Sequence, residues 1–198
     1  IIDDGSGMTP EILENCLAIG GRDDGDDNHE NHTGRYGYGL PNSSMSQCKR
    51  VEVYSWQNKS DVHYTYLDFD EVLENKEQYC KPVEKKDLPK KISACLKNKT
   101  SDSGTIIIWS KCDRLDVARA ETLYNHMKDD LCRTFRHRLD DDDSYGKKVN
   151  IAYLIPDKDF NKSFAANDPI YILKPNTTPG YDKESTNEIV FEDDIPIN

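Results

Sequence analysis

The chain opens on IIDDGSG, residues 1–7, and returns to glycine in GRYGYG, residues 34–39. In the first stretch two β-branched residues run straight into two acids, Asp3 and Asp4, with Gly5 and Gly7 behind them. Asp-Gly by itself is turn chemistry, because Gly takes positive φ without steric cost. The same pattern suits a backbone that lies against a ligand while a carboxylate points at it. The local sequence leaves both readings open. Ile1 and Ile2 read as the end of a buried strand, and with no initiating Met the chain reads as a piece of a longer protein.

Outward from the first stretch comes MTPEILENCLAIGG, a helix by its signals. Thr9 suits the N-cap, Pro10 the first helical position and Glu11 the first turn. Met8 and Leu13 stand where a hydrophobic staple would place them. Ile12, Leu13, Cys16 and Leu17 form one apolar stripe that Gly20 should end. RDDGDDNHENHT is polar throughout and reads as a mobile loop. After it GRYGYGLPNSSMSQCK carries the second glycine cluster, whose tail reads as a short helix with Leu40, Met45 and Cys48 as its apolar positions.

VEVYSW and VHYTYLDF alternate in the manner of two antiparallel strands joined by QNKSD. DEVLENKEQY is a weak helix, and KPVEKKDLPKK a solvated connector holding a lysine cluster. GTIIIWSK predicts a strand buried on both faces in its middle. DVARAETLYNHMKDDLCRTFRHRL is the longest helix, with a stripe from Val117 to Phe135 that reads as core. LDDDDSYG reads as an exposed turn and VNIAYLI as a further strand. This order predicts a two-layer α/β sandwich, with a mixed, largely antiparallel sheet and helices on one face. Residues 1–158 are expected to form one domain and 159–198 an extension or the start of another.

Lys+Arg 26 against Asp+Glu 37 leaves a net charge of −11, which disfavours nucleic acid and anionic membrane as partners. No apolar run approaches a membrane span, and the first residues do not read as a basic-then-apolar signal peptide. The six cysteines form no CxxC pair, so they read as reduced thiols of a cytoplasmic protein. His29, Glu30 and His32 lack a third ligand at metal-site spacing and read as loop. Asp140 to Asp143 lack the alternation of a calcium loop.

A P-loop is absent, and GRYGYG does not follow a strand as a dinucleotide fingerprint should. What carries weight is the order: D-x-G-x-G, helix, polar loop, G-x-x-G-x-G opening a helix, and later a Gly-Thr entering a strand. In DDGSGMTPEIL, LAIGG, GRYGYGLPNSSM and GTIII the chain resembles the GHKL ATPases, and within them the Microrchidia (MORC) branch, over roughly residues 1–155. The GHKL family comprises type II topoisomerases, ninety-kilodalton heat-shock chaperones, MutL proteins and histidine kinases. The resemblance implies a Bergerat-type fold that binds ATP with Mg²⁺. It implies that Asp3 accepts a hydrogen bond from the adenine amine, that Gly5 and Gly7 let the backbone lie against the purine, and that the Thr105 hydroxyl holds the Asp, with Ile106 and Ile108 packed nearby. Gly34, Gly37 and Gly39 would present amides to the phosphates, with Met8, Tyr36, Tyr38 and Leu40 among the nucleotide contacts. Residues 20–33 correspond to a lid that orders over the γ-phosphate, and Arg22 and Arg35 flank it as the nearest cations.

In that family the catalytic Glu and the Mg²⁺-binding Asn lie on a helix upstream of D-x-G-x-G, so no catalytic residue is expected within residues 1–198. Pro41 stands where MORC proteins carry a Lys. The resemblance therefore implies the nucleotide-binding domain of an ATPase that closes its lid and homodimerises or switches shape within a larger protein, in the cytoplasm or, for a MORC-like protein, the nucleus. Two alternatives remain: a nucleotide-binding scaffold without turnover, and a histidine-kinase-like phosphotransferase domain.

Overall fold

The computed structural model describes residues 1–21, 37–76, 81–96, 101–141, 147–156 and 158–167. It divides into two compact units, residues 1–116 and 117–198.

In the first unit five strands form one sheet in the order β1-β5-β2-β3-β4, with every neighbouring pair antiparallel. The strands are β1 (Ile2–Asp3), β2 (Arg50–Trp56), β3 (His63–Asp68), β4 (Glu84–Lys85) and β5 (Gly104–Ser110). β2 and β5 form the long ladder, from Arg50 opposite Ser110 to Trp56 opposite Gly104. Alternation along these strands sorts the side chains between the two faces. Val51 and Val53 go to one face and pack with Leu13, Leu17 and Cys48. Tyr54 and Trp56 go to the other and pack with Tyr64 and Ile106.

Helix α1 (Pro10–Asn15) lies on the valine face, where Leu13 is fully buried. Thr9 caps it by accepting from the Ile12 amide, and Pro10 stands in its first turn. The helix is shorter than its stripe suggests. It stops at Asn15, and the chain turns back through residues 16–20 to Gly20 at φ 71°. Ile12, inside the helix, is 47 % exposed and departs from the expected stripe, while Leu17 reaches the core from the turn. Helix α2 (Gly39–Gln47) packs Leu40 against the same cluster, and the Trp109 indole on β5 donates to Ser44 Oγ at 2.9 Å.

The aromatic face takes Leu88 from the lysine-rich connector and Ile92 from the helix that follows it. That connector is not wholly solvated. It contributes β4, whose Glu84 and Lys85 pair with Tyr64 and His63, and then enters α4 (Lys90–Leu96). Helix α3 (Phe69–Asn75) follows β3 directly, capped by Asp68, which accepts from the Asp70 amide. β1 forms as expected but is not buried. It is an edge strand beside β5, with Ile1 70 % and Ile2 46 % exposed.

The second unit has its own elements: α5 (Ala120–Thr134), α6 (Arg136–Leu139) and a hairpin of β6 (Ala152–Ile155) and β7 (Phe160–Ser163). The Tyr124 ring packs tilted against Tyr153 and Phe164 and edge-on against Phe160, and the Tyr153 hydroxyl donates to the Ala120 carbonyl. The long helix is thus two pieces that meet at Phe135. VNIAYLI pairs in the hairpin rather than in the five-stranded sheet.

Candidate functional site

Asp3 and Thr105 are directly opposed across β1 and β5, so their side chains share one face of the sheet. Asp3 is exposed, because β1 is an edge, and its Oδ1 accepts the Gly5 amide at 2.9 Å in a tight turn. Thr105 is 8 % exposed, and its hydroxyl lies 3.1 Å from Ser55 Oγ on β2. Strand alternation puts Ile106 and Ile108 on the aromatic face, away from Thr105. The isoleucine on the Thr105 side is Ile107, packed with Leu13, Val51 and Val53.

The glycines of the first motif answer to geometry. Gly7 has φ 70°, and a Cβ there would stand 2.0 Å from the Trp56 carbonyl oxygen, so the loop crosses the end of β2 at backbone contact. Two side-chain hydrogen bonds pin that crossing. The Met8 amide donates to Ser55 Oγ at 2.8 Å, and Ser103 Oγ donates to the Gly5 carbonyl at 2.8 Å.

The second motif reaches the same face. Gly37 has φ 67°, and its carbonyl accepts from the Gly20 amide at 3.4 Å, which ties the turn after α1 to the second motif. Tyr38 is the N-cap of α2 and makes no side-chain cap hydrogen bond. The leading amides of α2, at Gly39 and Leu40, thus have no side-chain cap, and Pro41 has none to offer. A helix start of this kind carries about half a positive charge and suits an anion. Met8 and Leu40 pack against one core cluster, from α1's and α2's sides. Described residues of both motifs, Asp3, Gly5, Gly7, Met8, Gly37, Tyr38, Gly39, Leu40 and Thr105, therefore belong to one unit. Arg22, Gly34, Arg35 and Tyr36, and the loop 22–33, lie outside the described residues.

Ser55 is the residue the sequence did not single out. It is fully buried and touches Met8, Gly104 and Thr105 at once. In VEVYSW it shares the face of Val51 and Val53, but alternation alone does not set it apart from any other strand serine.

The first unit thus carries a carboxylate and a hydroxyl opposed across β1 and β5, a buried hydroxyl behind them on β2, and, at the start of α2, amides without a side-chain cap. Residues 1–105 match the family described as histidine kinase-, DNA gyrase B-, and HSP90-like ATPase. The chain belongs to that family. No curated protein matches it. As a GHKL-type member, it contains an ATP-binding ATPase domain over those residues, on a sheet and helix set consistent with the Bergerat-type fold. Among the described residues no helix is long and apolar enough to cross a membrane, and no cluster of three His, Cys, Asp or Glu side chains could hold a metal ion.

At the other end of the β2–β5 ladder lies an ionic cluster. Asp68, with a side chain only 1 % exposed, accepts from Arg50 Nη1 at 3.2 Å and Lys111 Nζ at 2.8 Å. Burial pushes the Asp68 carboxyl up, but the hydrogen bonds from Lys111 and Arg50 outweigh it and hold it below the ordinary range. Arg50 also reaches Glu52 and Glu71 and lies over the Tyr66 ring at 4.0 Å. This cluster fixes the sheet, and it is remote from the glycine motifs.

Proposed function

We propose that Asp3, Gly5, Gly7, Met8 and Thr105 take the adenine of ATP, and that Gly34, Gly37, Gly39 and the α2 N-terminus take its phosphates. Arg22 and Arg35, as the cations flanking the lid, and Tyr36, Tyr38 and Leu40 are nucleotide contacts in the same proposal. The observation that carries this reading is the opposition of Asp3 and Thr105 across β1 and β5, beside a loop whose Gly7 permits backbone contact. An ionised carboxylate has acceptors only, and the adenine amine supplies the matching donor. The donor set fits the triphosphate too: backbone amides at a left-handed glycine and an uncapped helix start. Mg²⁺, when bound, neutralises phosphate charge; none of the described side chains is assigned to it.

The net charge of −11 does not oppose this. Charges beyond a Debye length of about 8 Å are screened, so the close amides decide. In the fuller reading, ATP orders residues 20–33 as a lid, a larger, MORC-like protein dimerises or changes its affinity for partners, and slow hydrolysis resets it. The 1–158 extent of the nucleotide-binding domain belongs to the same proposal.

Titration calorimetry of the full-length protein with ATP and Mg²⁺ tests it. Asp3→Asn replaces one acceptor by a donor facing the amine, and affinity should fall about ten- to a hundredfold, the worth of one hydrogen bond to a charged group. Unchanged affinity removes the adenine assignment. Phosphate release measured alongside separates an ATPase from a scaffold without turnover.

A further inference from the structure

Ser55 Oγ has three polar neighbours: the Met8 amide at 2.8 Å, the Gly104 carbonyl at 3.1 Å and Thr105 Oγ1 at 3.1 Å. A hydroxyl owns one proton and two lone pairs. The Met8 amide can only donate, so it occupies one lone pair. The Gly104 carbonyl can only accept, so it takes the proton. Were the proton turned elsewhere, two oxygens would face each other at 3.1 Å with no hydrogen between them. A single lone pair is left for Thr105. Thr105 must therefore donate to Ser55, and its only proton points inward.

The consequence falls on the outer side of Thr105. Its remaining capacity is acceptance alone. Asp3, directly across the ladder, is also an acceptor when ionised, with Oδ1 already receiving the Gly5 amide. Neither residue can donate outward.

We propose that Ser55 is a positioning residue for nucleotide specificity: by holding the Thr105 proton inward, it makes the Asp3–Thr105 edge accept hydrogen bonds only, and so selects a purine carrying a 6-amino group over one carrying a 6-oxo group. This rests on the reading that Asp3 and Thr105 face the base. Ser55 itself touches no nucleotide in this scheme. It acts through Thr105.

The test is competitive calorimetry of the full-length protein with ATP and inosine triphosphate, for wild type, Ser55→Ala, Ser55→Thr and Asp3→Asn. Wild type prefers ATP. In Ser55→Ala the Thr105 hydroxyl is free to rotate and donate to the 6-oxo group, so the preference narrows by about five- to tenfold, as one neutral hydrogen bond made or withheld predicts. Ser55→Thr keeps a hydroxyl and restores the wild-type ratio. If Ser55→Ala does not fold, Ser55→Cys serves, since its sulfur is a poor acceptor and also frees the Thr105 proton. A merely structural role for Ser55 weakens both nucleotides by one factor and leaves the ratio where it was. That result, with Asp3→Asn still losing ATP, overturns the role of Ser55 and leaves the base reading standing. Unchanged ATP affinity in Asp3→Asn overturns the base reading and this inference with it.

Discussion

Gly7→Ala should destabilise the protein by about 2–3 kcal/mol, and two independent costs build that figure. The left-handed conformation at φ 70° costs an L-residue roughly 1–2 kcal/mol. The new Cβ would also stand 2.0 Å from the Trp56 oxygen, whereas ordinary van der Waals contact begins near 3.4 Å. The neighbour is backbone inside the β2–β5 ladder, so the loop must move instead of the strand. Moving it stretches the adjoining Met8 amide–Ser55 bond, now 2.8 Å, which adds about 1 kcal/mol. Gly39→Ala is the matched control. A Cβ there meets no protein atom within 4 Å, its φ is ordinary, and Ala is the better helix former by up to about 1 kcal/mol. Urea unfolding followed by tryptophan fluorescence reads both variants, since Trp56 and Trp109 lie on β2 and β5. The midpoint should drop for Gly7→Ala and hold or rise for Gly39→Ala. A loss below about 1 kcal/mol in Gly7→Ala would mean that the loop yields freely, and the claim of enforced backbone contact would fail.

Two further predictions concern the rest of the first unit. Asp68→Asn should cost about 2 kcal/mol by leaving Arg50 and Lys111 without their shared carboxylate, a loss reduced by the partial exposure of both cations. Because the folded Asp68 carboxyl titrates below its unfolded value of about 3.9, its stabilisation is complete above that pH and fades as pH falls through the lower folded value. Denaturation midpoints from pH 6 down to pH 2 should therefore fall more steeply for wild type than for Asp68→Asn, and parallel curves would contradict the assignment. Iodoacetamide should label the exposed Cys112 long before the buried Cys48, whose thiol burial pushes up; equal rates by peptide mass analysis would show that Cys48 is not enclosed.

Much of the first unit was legible because its signals are local. Thr9 and Pro10 announced α1, and the alternation of VEVYSW and VHYTYLDF announced the β2–β3 pair. What escaped depends on contacts that no local window contains. β4 is Glu84–Lys85, two charged residues that pair only because His63 and Tyr64 present an open edge. α1 ends before its apolar stripe does, because Gly20 and Gly21 let the chain fold back so closely that a Cβ at Gly21 would meet the Asn15 carbonyl at 2.4 Å. The break at Phe135 is invisible to periodicity, since α6 resumes at once. Of the candidate site, the glycines and Asp3 could be found by spacing. Ser55 could not, because a buried serine declares its role only when its three partners are in place.

The β2–β5 ladder carries both the ionic cluster and the hydroxyl pair, and this makes stability and recognition separable. Arg50 and Ser55 are five residues apart on one strand, roughly 17 Å at about 3.4 Å per residue. At that distance, and with Arg50 and Lys111 pairing its carboxylate, the charge of Asp68 is only weakly felt at Thr105. The coupling that remains is mechanical, through strand register, and register does not shift by degrees: a slip of one residue would carry Val51 and Val53 off their face. A change at Asp68 thus lowers the free energy of the whole sheet and leaves the hydroxyl geometry of every folded molecule as it was. A change at Ser55 alters the direction of one proton and leaves the ladder standing. Asp68→Asn should accordingly shift the unfolding midpoint while preserving the ratio of ATP to inosine triphosphate affinity, and Ser55→Ala should alter that ratio even where its stability is recovered at low temperature.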